Sequence, residues 1–437
     1  MASGLFGAYR LISAAATPVV RRHLRRRVAR GREDPARLAE RFGHAGVARP
    51  PGPLVWIHGA SVGESLSALP LIGRIREGWP NLNLLVTTGT VTSARLMAER
   101  LPAGVVHQYA PVDLPAAVDR FLDHWSPDLG LIFESEFWPN LLIQAHGRGV
   151  ELALVNGRIS GASYAAWGRA RPLIAHLLGM FSLTLAQSRE DEAILRALGA
   201  REPRRLGNLK FAAPALAVDP KELDAWQGAL GTRPRWLAAS THPGEEEIVA
   251  DAHARLAISK PGLLTILVPR HPDRGAGIAA GLRARGLSVA LRSAGDPVTA
   301  ETDIYLADTI GELGLWYRLS GVVFVGGSLI PKGGQNLLEP AKLGCAILCG
   351  PHMTNFLRVS EEMRRAEAIR QVVDAEQLAA VAAWLLEDEA ARAGMIAAAG
   401  DYAAAQASVL DEVAAALKPL LDRAAGLAQQ AAADRPA

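Results

Sequence analysis

The amino-acid sequence predicts an α/β protein made of two doubly wound halves, each a parallel sheet with helices on both faces. Three observations lead there. From Pro53 onward, short apolar runs alternate with segments of helical period. The alternation stops at an Ala/Pro-rich stretch, residues 212–220 (AAPALAVDP), and then begins again. The chain also has 437 residues, more than a single core usually organises.

The head of the chain stands apart from this pattern. Residues 1–32 hold eight arginines (Arg10, Arg21, Arg22, Arg25, Arg26, Arg27, Arg30, Arg32) and no acidic residue, so the remainder carries about −5 against a total of +3. A basic head on a mildly acidic body seeks an anionic surface, either nucleic acid or anionic lipid. The mostly apolar stretch Leu11–Val20, with Leu5 and Phe6 before it, favours lipid. It is too short to span a bilayer and suits the interface, apolar side down. A signal peptide is the competing reading. It is opposed by charge order, because the arginines follow the apolar stretch instead of preceding it.

In the first series, strands are expected at Leu54–His58, Leu82–Thr87, Val105–Tyr109, Leu129–Phe133, Glu151–Val155 and Leu183–Gln187. Helices such as Glu64–Glu77 and Thr92–Arg100 lie between them. After the linker, strands are expected at Trp236–Ser240, Leu264–Pro269, Ser288–Leu291, Asp303–Leu306, Val322–Val325 and Ala346–Leu348. The Ala/Gln-rich chain after Leu420 reads as a frayed tail. The expected organisation is thus a basic segment 1–48, a first domain 49–211, the linker 212–220, a second domain 221–420 and a disordered tail 421–437. The two cysteines, Cys345 and Cys349, supply no disulfide framework and no zinc pattern.

Ligands of open α/β sheets bind beyond the carboxyl ends of the strands, and the polar motifs cluster there. His58-Gly-Ala-Ser-Val-Gly-Glu64 joins a strand to a helix. Helix N–H groups favour an ionised Glu64, which suits a base, although capping the helix is a competing role. The loop lacks the glycine order of a dinucleotide site and the Gly-Lys-Ser/Thr of a P-loop, which argues against hydride transfer and ATP-driven phosphoryl transfer. Glu134-Ser-Glu136-Phe-Trp-Pro-Asn140 ends a buried strand with two carboxylates. Asn156-Gly-Arg158-Ile-Ser160 and Gly207-Asn-Leu-Lys210 follow, with Lys210 suited to neutralising an acidic sugar or a leaving phosphate.

The second half offers Ser240-Thr-His-Pro-Gly-Glu-Glu246 at a helix start, an arrangement suited to an anion. It also offers Pro269-Arg270-His271-Pro272, with Arg270 placed for phosphate. Asp308–Glu312, Gly326-Gly-Ser328 and Gly333-Gly-Gln-Asn-Leu-Leu-Glu-Pro340 complete the set. At successive strand ends of one half these pieces read as a nucleotide site. No paired-Asp metal motif stands near them, and the histidines are not at ligand spacing. Metal-independent chemistry without a cofactor is therefore expected, with Arg and Lys as the electrostatic groups.

The ordered set HGASVGE, TTGT, ESEFWPN, NGRIS, GNLKF, PRHPDR, FVGGSL and GGQNLLEP resembles the 3-deoxy-D-manno-octulosonic acid (Kdo) transferases from about residue 50 to residue 360. That resemblance implies the GT-B class, with two Rossmann-like domains facing across a cleft, the first for acceptor and the second for donor. It implies inverting transfer of Kdo from CMP-Kdo to the lipid A precursor (lipid IVA) at the cytoplasmic face of the inner membrane. It implies Glu64 as proton acceptor, with Glu134 and Lys210 stabilising the transition state. CMP contacts would fall on Pro269, Arg270, Ile310, Gly311, Glu312, Asn336, Leu337, Leu338 and Glu339. Where the family usually has Asn-Pro-Leu-Glu, this chain has Leu337 in place of the proline. The Arg21–Arg32 region would then meet an anionic membrane surface, with no nucleic-acid partner. An epimerase of the same two-domain shape, or a protein binding lipid or nucleic acid through the arginines alone, are the alternatives. Neither accounts for both the head and the strand-end loops.

Overall fold

The computed structural model describes residues 2–212 and 215–433. Contacts divide the chain into one unit of Met1–Ala213 with Gln406–Ala437 and a second of Pro214–Ala405.

The first unit holds seven parallel strands: β1 (Leu54–His58), β2 (Asn83–Thr88), β3 (Val106–Tyr109), β4 (Leu129–Phe133), β5 (Glu151–Gly157), β6 (Phe181–Ala186) and β7 (Arg204–Arg205). Their order is β3-β2-β1-β4-β5-β6-β7. The second unit repeats the plan with β8 (Arg235–Thr241), β9 (Leu264–Pro269), β10 (Val289–Leu291), β11 (Ile304–Leu306), β12 (Val322–Val325), β13 (Ala346–Cys349) and β14 (Ile369–Gln371). Their order is β10-β11-β9-β8-β12-β13-β14. Helices cover both faces, so β1, β4 and β12 are buried at every position. That double burial is why they read as unbroken apolar runs rather than alternating patterns. In each sheet the strand order reverses beside the first strand, between β1 and β4 and between β8 and β12. Loops leaving those strands flank the crevice where such sheets bind ligands.

Two expected boundaries need correction. The C-terminal helix, Glu389–Ala433, begins in the second unit, but from residue 406 onward it belongs to the first. There Val409, Val413, Leu417, Leu421 and Ala424 recur at helical spacing and join the core of Val55, Ile57, Leu71 and Ile75. The second domain therefore ends near residue 405, not at 420. A helical period shows that a face is buried but not against which sheet. The expected frayed tail is also helical through Ala433, and Leu421 and Ala424 are buried; residues 434–437 lie outside the described residues. In the linker, residues 213 and 214 lie outside as well. At its far end Asp219 caps the helix Pro220–Leu230, its side chain accepting the Lys221 N–H. The short edge strands β7 and β14 were not anticipated, because two or three residues carry no legible period.

The head forms two helices, α1 (Ala2–Ala15) and α2 (Thr17–Ala29). Helical backbone continues through Ala16 (φ −74°, ψ −4°), whose carbonyl accepts the Val20 N–H at 3.0 Å. Residues beyond Arg32 already belong to the body. Glu40 is buried, and its Oε2 accepts the Tyr109 N–H at 2.7 Å. Among the described residues, no helix is long and apolar enough to cross a membrane.

Candidate active site

β1 ends at His58, and the helix α3 (Val62–Gly78) begins four residues later. Ser61 is its N-cap and accepts the Glu64 N–H. The carboxylate of Glu64 folds back over the turn. Its Oε2 accepts the Ala60 N–H at 2.6 Å and its Oε1 the Ser61 hydroxyl at 2.7 Å. Glu64 therefore fills the capping role, one of the two weighed from sequence, and its carboxylate is held in one geometry. Burial pushes its pKa above the ordinary glutamate value, and the nearby carboxylates of Glu136 and Glu134 push the same way. The bonds from Ser61 and Ala60 oppose the shift without cancelling it.

Glu134 follows β4 with φ +55°, a left-handed backbone that is uncommon away from glycine and marks a constrained turn. Lys210 Nζ lies 2.9 Å from Glu134 Oε1, an ion pair by distance without the alignment of a directed hydrogen bond. Lys210 also crosses the first turn of α3. A Cβ on Gly63 would lie 3.3 Å from Nζ and 3.4 Å from Cε, so the glycine leaves room for the lysine.

A polar lattice sets the position of Lys210. Asn156, next to last in β5, has φ +56°, and its Oδ1 accepts the Leu209 N–H at 3.0 Å. Gln187 Nε2 donates to the Asn156 carbonyl at 2.9 Å, and Asn208 Nδ2 donates to Gln187 Oε1 at 3.1 Å. Asn208 Oδ1 in turn accepts the Lys210 N–H at 3.0 Å. The NGRIS and GNLKF motifs are thus two sides of one support. Gln187 was not singled out from sequence, although it ends an expected strand. Glu136, quoted only as part of its motif, accepts the Trp138 indole N–H at 2.5 Å and lies 3.8 Å from His58 Nε2. Burial alone would raise its carboxyl. His58 and the Trp138 N–H outweigh that and hold it below the usual range.

The second unit presents its motifs at its own crevice. Pro269 ends β9 and is buried, whereas Arg270 is exposed. The Arg270 N–H ties the loop to the Thr241 carbonyl at 2.9 Å. Ile310 is 86% exposed and Gly311 has φ +91°, so the tip of this loop stands out from the sheet. The Glu312 carboxylate is engaged by Arg292 and by the Thr309 hydroxyl. Asn336 Oδ1 accepts the Leu338 N–H at 3.0 Å, and its Nδ2 donates to Glu339 Oε1 at 3.2 Å. Glu339 is raised by burial, while the Asn336 hydrogen bond and the positive charges of Arg270 and Lys342 pull it back. Leu337 and Leu338 are buried, at 0% and 1% exposed, so a ligand there would meet their backbone and not their side chains.

One expectation is overturned. The Ser240–Glu246 segment was read as an anion site, but the protein fills it itself. Glu245 is fully buried and accepts four backbone N–H groups: His242 and Gly327 on Oε2, Ser328 and Leu329 on Oε1. Its neighbour Glu246 takes Arg274 in a two-point pair at 2.9 and 3.0 Å. These carboxylates clamp the loops after β8 and β12. Sequence spacing does not show where a carboxylate folds back. Among the described residues no group of three or more His, Cys, Asp or Glu gathers to hold a metal ion.

A family model described as 3-Deoxy-D-manno-octulosonic-acid transferase (kdotransferase) matches residues 36–213. A "Probable 3-deoxy-D-manno-octulosonic acid transferase, mitochondrial" of Arabidopsis thaliana is 38% identical, covering 83% of each chain. The "3-deoxy-D-manno-octulosonic acid transferase" of Bordetella pertussis is 37% identical over 87% of this chain and 91% of its own. The crystal structure of a UDP-GlcNAc 2-epimerase from Neisseria meningitidis superposes with a TM-score of 0.58, covering 84% of this chain and all of that one, at 11% identity. That last likeness concerns the fold alone: two Rossmann-like halves of GT-B type. The chain belongs to the 3-deoxy-D-manno-octulosonic acid transferases, a family of glycosyltransferases.

Proposed function

We propose that this Kdo transferase takes Kdo from CMP-Kdo and places it on the lipid A precursor, lipid IVA, in lipopolysaccharide synthesis, with inversion at the anomeric carbon. The observation that carries the reading is Glu64. Its carboxylate is pinned by Ala60 and Ser61 at the mouth of the β1 loop, and its pKa is raised by burial. A carboxylate whose pKa is raised is a stronger base in its ionised form.

In the proposed step the acceptor hydroxyl gives its proton to Glu64 as its oxygen bonds to the anomeric carbon. The bond from that carbon to the phosphate oxygen breaks, and CMP leaves with the electron pair. Lys210, set beside Glu134, stabilises the negative charge that develops. The donor half would hold CMP through Pro269 and Arg270, through the exposed loop at Ile310, Gly311 and Glu312, and through the 336–339 turn. There Asn336 and Glu339 offer side chains, and Leu337 and Leu338 offer backbone. Arg270 suits the phosphate, since its guanidinium is always charged. Transfer needs neither a metal ion nor a cofactor in this scheme; chelation should leave turnover unchanged.

In this proposal the reaction runs at the cytoplasmic face of the inner membrane, with α1 and α2 against the anionic surface. Leu5, Ile12 and Val19 recur every seven residues and are all exposed, with Leu11 beside them. Arg21, Arg22, Arg25 and Arg26 follow on α2 and are exposed too. An apolar stripe running into arginines fits an interfacial helix on anionic lipid. The deciding experiment incubates the protein with CMP-Kdo and lipid IVA, follows CMP release and weighs the product. Acceptor-dependent CMP release with a mass gain of one or more Kdo residues is expected. Absence of CMP release with acceptor present rejects the proposal.

A further inference from the structure

The first unit contains a cavity of about 310 Å³ that the chemistry above does not use. One wall is α1 and α2, through Tyr9, Ser13, Ala16 and Val20. The opposite wall is the strand-end loops, with Val112, Leu114 and Leu141 supplying apolar surface. Two ties hold the helical wall in place: the Tyr9 hydroxyl donates to Asp113 Oδ2 at 2.8 Å, and Asn140 Nδ2 donates to Ser13 Oγ at 3.1 Å. The volume is at the lower end of ligand-sized pockets, on the order of 300 Å³. One alkyl chain fits; a sugar carrying several chains does not.

The end of the cavity nearest Glu64 is polar. It is formed by His58, Ala60 and Glu136, and the Ala60 N–H is the group that holds Glu64. His58 is 1% exposed. Its register partner on β2 is Thr87, whose Oγ1 lies 2.9 Å from His58 Nδ1 and accepts the Trp56 indole N–H at 2.8 Å. Indole can only donate, so the Thr87 hydroxyl proton is available to Nδ1. Assigned with Thr87 as donor to Nδ1, the network leaves the His58 proton on Nε2. Among the described residues Nε2 has no hydrogen-bond partner, and Glu136 Oε2 lies 3.8 Å from it. A hydroxyl oxygen seated between them would accept from Nε2 and donate to Glu136, each at ordinary hydrogen-bond length.

We propose that this cavity receives one alkyl chain of a lipid acceptor, while His58 and Glu136 together grip a hydroxyl of the attached sugar and so present its neighbour to Glu64. The inference rests on transfer to a lipid-borne acceptor. The occupant follows from two features of the wall. The helices that line the cavity on one side carry the exposed apolar stripe Leu5, Ile12 and Val19 on another, so the cavity adjoins the face assigned to the membrane. Tyr9, Ser13, Asp113 and Arg41 also line the cavity, but each is engaged within the protein, so His58 and Glu136 at the end beside the reacting centre are left to meet a hydroxyl, which matches an amphiphile with its sugar inward.

Trp138 lines the cavity and donates to Glu136, so it reports on occupancy. n-Octyl glucoside, kept below micelle formation, should shift the tryptophan emission, and Trp138→Phe should abolish that shift. It should also inhibit transfer competitively against lipid IVA, whereas glucose at the same concentration does neither. Ala16→Phe, which fills the cavity, and Glu136→Gln, which removes the charge and one of the two acceptor oxygens, should each raise the acceptor KM at least tenfold. Both should leave the KM for CMP-Kdo within twofold. His58→Gln should act like Glu136→Gln, and the latter serves if the buried histidine proves necessary for folding. An acceptor KM within twofold of wild type in Ala16→Phe and Glu136→Gln, or equal effects of glucose and octyl glucoside, overturns the assignment. A shift at Trp138 without any CMP release would uphold the cavity and reject the transferase reading, so the two can fail separately.

Discussion

At the scale of single residues, the site is a set of side chains whose charge states depend on one another. Glu64 has a folded-state pKa above its unfolded value, so the native state binds its proton more tightly. Stability from this group is full below the unfolded pKa and declines as pH rises through the folded one. The proposed catalysis runs the other way, because Glu64 as base must be ionised. The kcat/KM for acceptor should therefore fall on the acid side with a midpoint above the ordinary glutamate range, as a pH–rate profile would show. Glu64→Gln should abolish transfer and keep CMP binding, and its melting temperature at pH 7 should be no lower than wild type. Near-normal turnover would remove Glu64 from the base role. Lys210 is tested by Lys210→Met, which leaves Glu134 without its counter-ion and the transition state without a cation. A loss of about 10²–10³ in kcat with little change in donor KM is expected from steady-state kinetics. The sequence made Glu64, Glu134 and Lys210 visible as polar residues at strand ends. Their mutual placement was not visible, because the ion pair joins positions 76 residues apart.

At the scale of elements, the strand-end loops follow the local chemistry, but α1 and α2 do not behave as a detached arm. Tyr9 and Ser13 tie α1 to Asp113 and Asn140, and Leu24 of α2 is buried. Deleting the head would therefore remove part of the first unit as well as its charge. Substitution separates the two. Replacing the exposed Arg22, Arg25 and Arg26 with Gln, and sparing Arg21, which lies 5.6 Å over the Phe42 ring, should leave the melting temperature unchanged. Each arginine is worth about 1 kcal/mol at an anionic surface, so vesicle affinity should drop by a hundredfold or more. Cosedimentation with phosphatidylglycerol vesicles at low salt measures this; undiminished binding would put the membrane contact elsewhere. No sequence period announced the bond between Tyr9 and Asp113, since nothing in either segment marks a partner 104 residues away.

At the scale of the whole molecule, the first unit is closed by chain from the far end of the sequence. Leu417 and Leu421 are fully buried in the core that contains Val55, Ile57 and Leu71. Leu417→Ala should destabilise the first unit by about 2–5 kcal/mol, read as a drop in its denaturant midpoint. Truncation after Ala405 should leave that unit aggregation-prone, as judged by solubility, because the face it covers on β1 and α3 would be exposed. What the sequence by itself determined is the local layer: two doubly wound halves, strands buried on both faces, a basic amphiphilic head and polar groups at strand ends. Those features follow from periodicity, composition and turn chemistry within a few residues. The tertiary structure alone decided which distant groups meet. It turned Glu245 from an expected anion donor loop into a four-bond internal clamp, buried the side chains of Leu337 and Leu338, and returned the C-terminal helix to the first unit. It also brought His58 and Glu136 to one end of a cavity beside Glu64. The physical reason is the same each time: hydrogen bonds and packing act over a few ångströms in space, and sequence separation does not encode that distance.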